Sequence, residues 1–357
     1  MAPLADGMHR YAAAMAIFGA LLLLGLTALA AYVCFGGPRL SADARRVIKD
    51  VVAEDTTSVL RGSTGHARSG SIQLWYEDVA PTRSPAAGTV LLLLSMGADA
   101  LMWPRTFITS LLEAGFRVIR FDQRGTGLSD WVEAWTRKSA YGLGDLADDA
   151  LAILDHLGVE RAHVCGVSLG GMVAQELAIQ HPSRIASLAL LSTSPDVTDE
   201  SLPTMKVGHL LRTAWQSLPL LRYRIVGGEE NLVKERAAKM TLVQPDPQLE
   251  EVRDLAQHVI YDLRCRRGLH AAAVIQHQAA AATSRRRSEL LADLRVPTLV
   301  IHGELDPLLP IEHGRRLAQL IPSAKTLFLP DAGHVLLYPP MPPVMEAIAD
   351  HFRSAAT

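Results

Sequence analysis

Apolar and polar positions divide the chain into three regimes. From Tyr11 to Pro38 no residue is charged, a run of about 28 positions that includes Ile17, Phe18 and Leu21 to Leu24. That is long enough to cross a hydrocarbon layer of about 30 Å, so residues 1–38 are expected to form a transmembrane anchor in contact with membrane lipid. Residues 39–65 are polar and mixed in sign, with Arg45, Lys49, Asp50, Glu54 and Asp55, and are expected to form a solvated juxtamembrane linker with room for one short helix. After Ser71 short apolar runs alternate with helical spacing. The pattern predicts strands at Ile72 to Glu77, Val90 to Leu94, Arg117 to Phe121 and Arg161 to Cys165, with helices over Asp145 to Leu157 and Met172 to Ala178. Alternation of this kind implies a mostly parallel sheet flanked by helices.

A strand at Ile185 to Leu191 follows, and then the alternation stops until Pro297 to Ile301. After it come a helix at Glu312 to Leu320, a strand at Thr326 to Leu329 and a helix at Pro343 to Phe352. The gap, residues 194–290, carries apolar positions at helical spacing, such as Val233, Ala237 and Met240 or Leu255, Val259 and Leu263. It is expected to be a helical cap inserted into a core made of residues 66–193 and 291–357. Its arginines, Arg264, Arg266, Arg267 and Arg285 to Arg287, suit either an anionic substrate or a solvated face.

Composition narrows the functional classes. With 357 residues, 49% of them apolar, and a net charge of −2, the chain can bury a large core and lacks the basic excess of a nucleic-acid binder. Cys34, Cys165 and Cys265 are too few and too dispersed for a disulfide framework or a cysteine-based metal site, and Cys165 reads as a small core residue. Near the N-terminus, Arg10 and the Ala28-Leu29-Ala30 segment keep a cleaved signal peptide as the alternative to the anchor. If the run spans, Arg39, Arg45, Arg46 and Lys49 bias the following domain towards the cytoplasm.

Candidate chemistry centres on Gly166-Val167-Ser168-Leu169-Gly170, a G-x-S-x-G pentapeptide between a predicted strand and a predicted helix. Such a turn lifts a serine hydroxyl above the sheet, and flanking glycines keep it free of Cβ clashes. A serine hydroxyl is a poor nucleophile at neutral pH and needs a histidine to accept its proton and an acid to hold that histidine's tautomer. Asp306, in Gly303-Glu304-Leu305-Asp306-Pro307, and His334, in Asp331-Ala332-Gly333-His334, each follow a predicted strand, where ligand groups gather in parallel sheets. His302 is the alternative base, although its position at a strand end suits a structural role, and Asp331 is the alternative acid, although it suits a turn. Asp122 is expected to organise its own loop through backbone hydrogen bonds. The expected oxyanion donors are the N–H groups of Leu169, directly after the nucleophile, and Ala98, in the loop after the third strand.

Taken together, Ser95-Met96-Gly97-Ala98, Trp103-Pro104, the Phe121 to Ser129 loop, the elbow, Gly303 to Pro307 and Gly333-His334 resemble the α/β-hydrolase fold-1 family, within it the aclacinomycin methylesterase-like branch. Many family members carry His-Gly where this chain has Met96-Gly97, and the methylesterase-like branch is similar to this chain there. The resemblance covers about residues 70–353 and implies an α/β-hydrolase fold with a helical cap, a Ser168-His334-Asp306 triad and no cofactor or metal. The expected activity is hydrolysis of a small-molecule carboxylic ester through an acyl-enzyme. Alternatives are C–C bond, lactone or thioester hydrolysis, haloperoxidase-like chemistry on the same triad, or ligand binding without catalysis.

Overall fold

In chain order the elements are α1 (Ala2–Phe35), α2 (Ala42–Ala53), β1 (Ser63–Ser69), β2 (Ile72–Val79), β3 (Gly88–Leu93), α3 (Arg105–Glu113), β4 (Phe116–Phe121) and α4 (Leu143–His156). Next come β5 (Ala162–Val167), α5 (Leu169–Gln180), β6 (Ile185–Leu191), α6 (Val207–Ser217), α7 (Leu221–Val226), α8 (Glu229–Met240), α9 (Leu249–Cys265) and α10 (Ala271–Thr283). The chain closes with α11 (Ser288–Ala292), β7 (Thr298–Gly303), α12 (Ile311–Leu320), β8 (Ala324–Leu329) and α13 (Pro342–Ala355). This computed structural model describes all residues except 1, 56–58, 82–84, 243–246, 268–269, 323, 338–341 and 356–357, and of α1 it leaves out the side chains of 2–14, 16, 17 and 19.

The strands form one sheet in the order β1-β2-β4-β3-β5-β6-β7-β8. The β1–β2 and β2–β4 pairs are antiparallel and every other pair is parallel. Strands β5, β6 and β7 are buried at every position, as a sheet covered on both faces requires. One face packs on α4 and α5 through Leu146, Ile153, Val173 and Leu177. The other packs on α3 and α13 through Phe107, Ile108, Ile348 and Phe352. Cys165 lies in that second core, fully buried.

Residues 42–53 are not a solvated spacer. Ser41 caps α2 by accepting the Ala44 N–H at 3.0 Å, and Ala44, Ile48 and Val51, spaced i, i+4 and i+7, form one buried stripe. That stripe joins Leu220, Val233, Ala237, Val252 and Ala256 in a core separate from those on the sheet. The charged residues that suggested a spacer occupy the outer face. Ile48 is fully buried, so Ile48→Ala is expected to cost about 2–5 kcal/mol in urea unfolding, with the exposed Lys49→Ala close to neutral. Equal behaviour of the two would show that α2 does not pack.

The expected transmembrane anchor is corrected. Among the described residues, no helix is long and apolar enough to cross a membrane, so neither the span nor lipid contact through it is supported. Residues 11–14, 16, 17 and 19 of the uncharged run have side chains outside the described set. The other end of the run is tied to protein: Tyr32 stacks on Trp215 with centroids 4.7 Å apart, and Arg222 donates to the carbonyls of Gly36 and Pro38 at 2.6 and 2.9 Å.

Candidate active site

The turn between β5 and α5 holds Ser168 at φ 55° and ψ −115°, a conformation costing a non-glycine residue about 1–3 kcal/mol and kept only where surroundings enforce it. The enforcement is visible. The Ser168 N–H donates to the Leu191 carbonyl at 2.9 Å, and the Ser168 carbonyl accepts from the Thr193 hydroxyl at 2.6 Å and from the Gly171 N–H at 3.0 Å. A Cβ on Gly166 would strike the Gly170 carbonyl, and one on Gly170 would strike the Leu93 carbonyl. Both glycines of the pentapeptide are therefore steric requirements of this turn. The Leu169 N–H opens α5 and is among the first amides, which have no partner within the helix.

Asp306 and His334 come from loops after neighbouring strands, β7 and β8. The loops are stitched together where the Glu304 N–H donates to the Leu329 carbonyl and the Leu305 N–H to the Ala332 carbonyl, each at 2.9 Å. His334 Nδ1 lies 2.7 Å from Asp306 Oδ2, while Asp306 Oδ1 accepts the Leu308 and Leu309 N–H groups, both at 2.9 Å. Burial opposes ionisation of Asp306, but hydrogen bonds from His302 and His334 and the charge on His334 outweigh it, holding the carboxyl well below the usual carboxylate range. Among the described residues, no hydrogen bond joins the Ser168 hydroxyl to His334, a looseness common in ligand-free sites.

The competing candidates separate cleanly. His302 is fully buried, with Nε2 2.8 Å from the Leu309 carbonyl and 3.3 Å from Asp306 Oδ2, so it braces the acid's loop. Asp331 is exposed. Asp122 is buried and accepts the Ala100 and Leu128 N–H groups at 2.8 and 2.9 Å, organising its loop as expected. It also pairs with Arg266 from the end of α9, whose guanidinium reaches Asp99 at 3.5 Å and lies over the Trp75 ring.

Other cap arginines are likewise committed to protein partners. Arg264 pairs with Glu229 at 2.6 Å and Arg285 with Glu176 at 2.5 Å, while Arg267 lies over the Trp131 ring. For Arg264, Arg266, Arg267 and Arg285 these contacts favour a structural role over an anionic substrate.

Ala98 presents a complication for oxyanion binding. Its N–H donates to the Ser95 carbonyl at 3.2 Å, a long bond that a substrate oxygen would have to share or replace. The preceding residue, Gly97, sits at φ +68° and donates its own N–H to His277 on α10 at 3.0 Å. Sequence reasoning missed His277 and the pairing of Arg266 with Asp122, whereas His302 was expected to be structural and braces the acid's loop. Only His302 had a local signal, its position four residues before Asp306.

A cleft of about 580 Å³ opens beside the acid, between Lys206, His209 and Arg212 on one wall and Glu304 to Pro307 on the other. A larger groove of about 1020 Å³ is lined by Arg105, Glu113, Arg253 and Arg353 and includes none of the candidate site residues. Of the candidate site residues the smaller cleft is lined by Asp306 alone, with Ser168 and His334 outside its walls.

Known proteins agree with this architecture. Residues 88–339 match the model of the alpha/beta hydrolase fold family. Rhodomycin D methylesterase DauP of Streptomyces sp. (strain C5) is 29% identical over 301 residues, covering 80% of this chain and 96% of that protein. The enol-lactonase structure from Burkholderia xenovorans LB400 is 25% identical, with a TM-score of 0.58 over 80% of this chain and 99% of that one. A meta-cleavage product hydrolase from Pseudomonas fluorescens, at 22% identity and a TM-score of 0.58 over 83% of this chain and 98% of that one, shares the fold. The chain is a member of the alpha/beta hydrolase fold family, and its similarity to rhodomycin D methylesterases fits the methylesterase-like branch within it.

Proposed function

We propose that the protein hydrolyses small-molecule carboxylic esters, with Ser168 as nucleophile, His334 as general base and acid, and Asp306 as the orienting acid. The observation that carries this reading is the 2.7 Å His334–Asp306 pair on the loops after β7 and β8, together with the strained serine elbow after β5 of the same sheet. With Asp306 ionised, His334 donates through Nδ1 and leaves Nε2 bare to accept the Ser168 proton. The hydroxyl oxygen then attacks the ester carbonyl, and the resulting oxyanion meets the N–H groups of Leu169 and Ala98. Collapse breaks the C–O bond to the alcohol, which leaves with the proton held on His334. Water, deprotonated by the same imidazole, hydrolyses the acyl-enzyme and returns Ser168.

Lactone hydrolysis is the second reading, because the same attack opens a cyclic ester and enol-lactonases are among the similar proteins. The cap is proposed to roof the site and thereby to set substrate size.

The test is fluorophosphonate labelling followed by a graded panel of acyclic esters and lactones. Labelling confined to Ser168, with turnover of at least one ester class, is the expected result. Ester turnover without labelling at Ser168 would refute the assignment, and turnover of lactones alone would favour the second reading.

A further inference from the structure

Helix α10 crosses the loop that follows β3, and His277 is fully buried at the contact. The two ring nitrogens of His277 face opposite kinds of partner. The Gly97 N–H donates to Nδ1 at 3.0 Å, and Nε2 lies 3.0 Å from the Arg124 carbonyl. An amide N–H can only donate and a carbonyl can only accept, so Nδ1 is the bare nitrogen and Nε2 carries the hydrogen. Burial pushes the pKa of this imidazole down to about 4, which keeps it in the neutral form that the arrangement requires.

The same helix makes two further contacts, one to this loop and one to the segment between β4 and α4. Val274 lies against Gly97 so closely that a Cβ there would strike its Cγ2 atom. Gln276, next to His277, donates to the Val132 carbonyl at 3.0 Å and accepts from the Tyr141 hydroxyl at 3.3 Å, so α10 is also held to the segment between β4 and α4. Gly97 directly precedes Ala98, and the peptide between them carries the N–H proposed as the second oxyanion donor.

We propose that His277 is a positioning residue for the oxyanion site: by accepting the Gly97 N–H it fixes the Met96–Gly97 peptide, and with Gly97 held at φ +68° this sets the direction of the adjoining Gly97–Ala98 peptide and makes assembly of that donor depend on the seating of α10. The proposal rests on the reading that Ala98 supplies an oxyanion donor. It assigns the cap a part in the chemical step, separate from its part in admitting substrate.

Three variants of the full chain test it: His277→Leu, His277→Asn and His277→Gln, each measured for kcat and KM on a soluble ester, for fluorophosphonate labelling rate and for melting temperature. His277→Leu is expected to lower kcat roughly 100-fold, the loss typical when an oxyanion donor is removed, with KM within about 2-fold. Asn places an acceptor oxygen near the position of Nδ1 and is expected to restore most of that kcat. Gln reaches towards the Arg124 carbonyl but leaves Gly97 without its acceptor, and is expected to behave like Leu.

Equal kcat in the Asn and Gln variants, or a kcat that simply tracks melting temperature across the series, would overturn the proposal. Should the Leu variant fail to fold, the Asn and Gln pair decides alone. A wild-type chain that does not label at Ser168 would bring down the underlying reading and this proposal with it. Normal labelling with indifferent His277 variants would bring down this proposal only.

Discussion

Ser168→Ala is expected to lower ester turnover by at least roughly 10⁴-fold, since the members of such a triad act as a unit and residual rate comes only from binding and the oxyanion site. Its fold should survive. Alanine keeps the Cβ that already sits at φ 55° and ψ −115°, and the bonds that pin the turn are made by backbone atoms of residue 168. Ser168→Gly should lose the same activity for the same reason, yet gain about 1–3 kcal/mol of stability because glycine relieves that backbone conformation. Turnover by the alanine variant at the wild-type rate would remove Ser168 as nucleophile. Equal stability of the alanine and glycine variants would show that the turn is not strained.

The second large effect is expected at Asp306. An asparagine there cannot satisfy its neighbours in either orientation. With its NH₂ at the Oδ2 position it faces the nitrogen donors of His334 and His302, and with its NH₂ at the Oδ1 position it faces the N–H groups of Leu308 and Leu309. Donor then opposes donor, and His334 is driven to the wrong tautomer, an error that costs on the order of 10⁴-fold in kcat. Asp331→Asn, at an exposed position, should stay within about 2-fold of wild type. Steady-state kinetics on one soluble ester decide the matter, and a larger loss at Asp331 would reverse the assignment of the acid.

The elbow and the two downstream loops were legible because steric need had left its mark on residue type. Gly166 and Gly170 are required by close backbone approach, and Asp306 and His334 each follow an apolar run that could only be a strand. The edge of the sheet was not legible. Strand β1, Ser-Thr-Gly-His-Ala-Arg-Ser, pairs with β2 alone and buries only Ala67, so no apolar alternation announces it. Helix α2 was obscured by the opposite problem, since its three buried positions are outnumbered by charges on the outer face. His277 carries no local signal at all. It is one of 13 histidines, and its partner Gly97 lies 180 positions away, a separation only the folded chain closes.

The packing of α2 also changes what counts as a module. The insertion between β6 and β7 looks like a unit that could be exchanged with a relative's, but part of its hydrophobic interior is supplied from before the first strand, by Leu40, Ala44, Ile48 and Val51. A chimera that replaces residues 196–288 alone would set a foreign α8 and α9 against a native α2. A graft that also carries residues 40–53 keeps both halves of that interior from one parent. The hydrophobic interior of the insertion is thus discontinuous in sequence, and its inheritance is better traced by which side chains share a core than by where an insertion begins and ends.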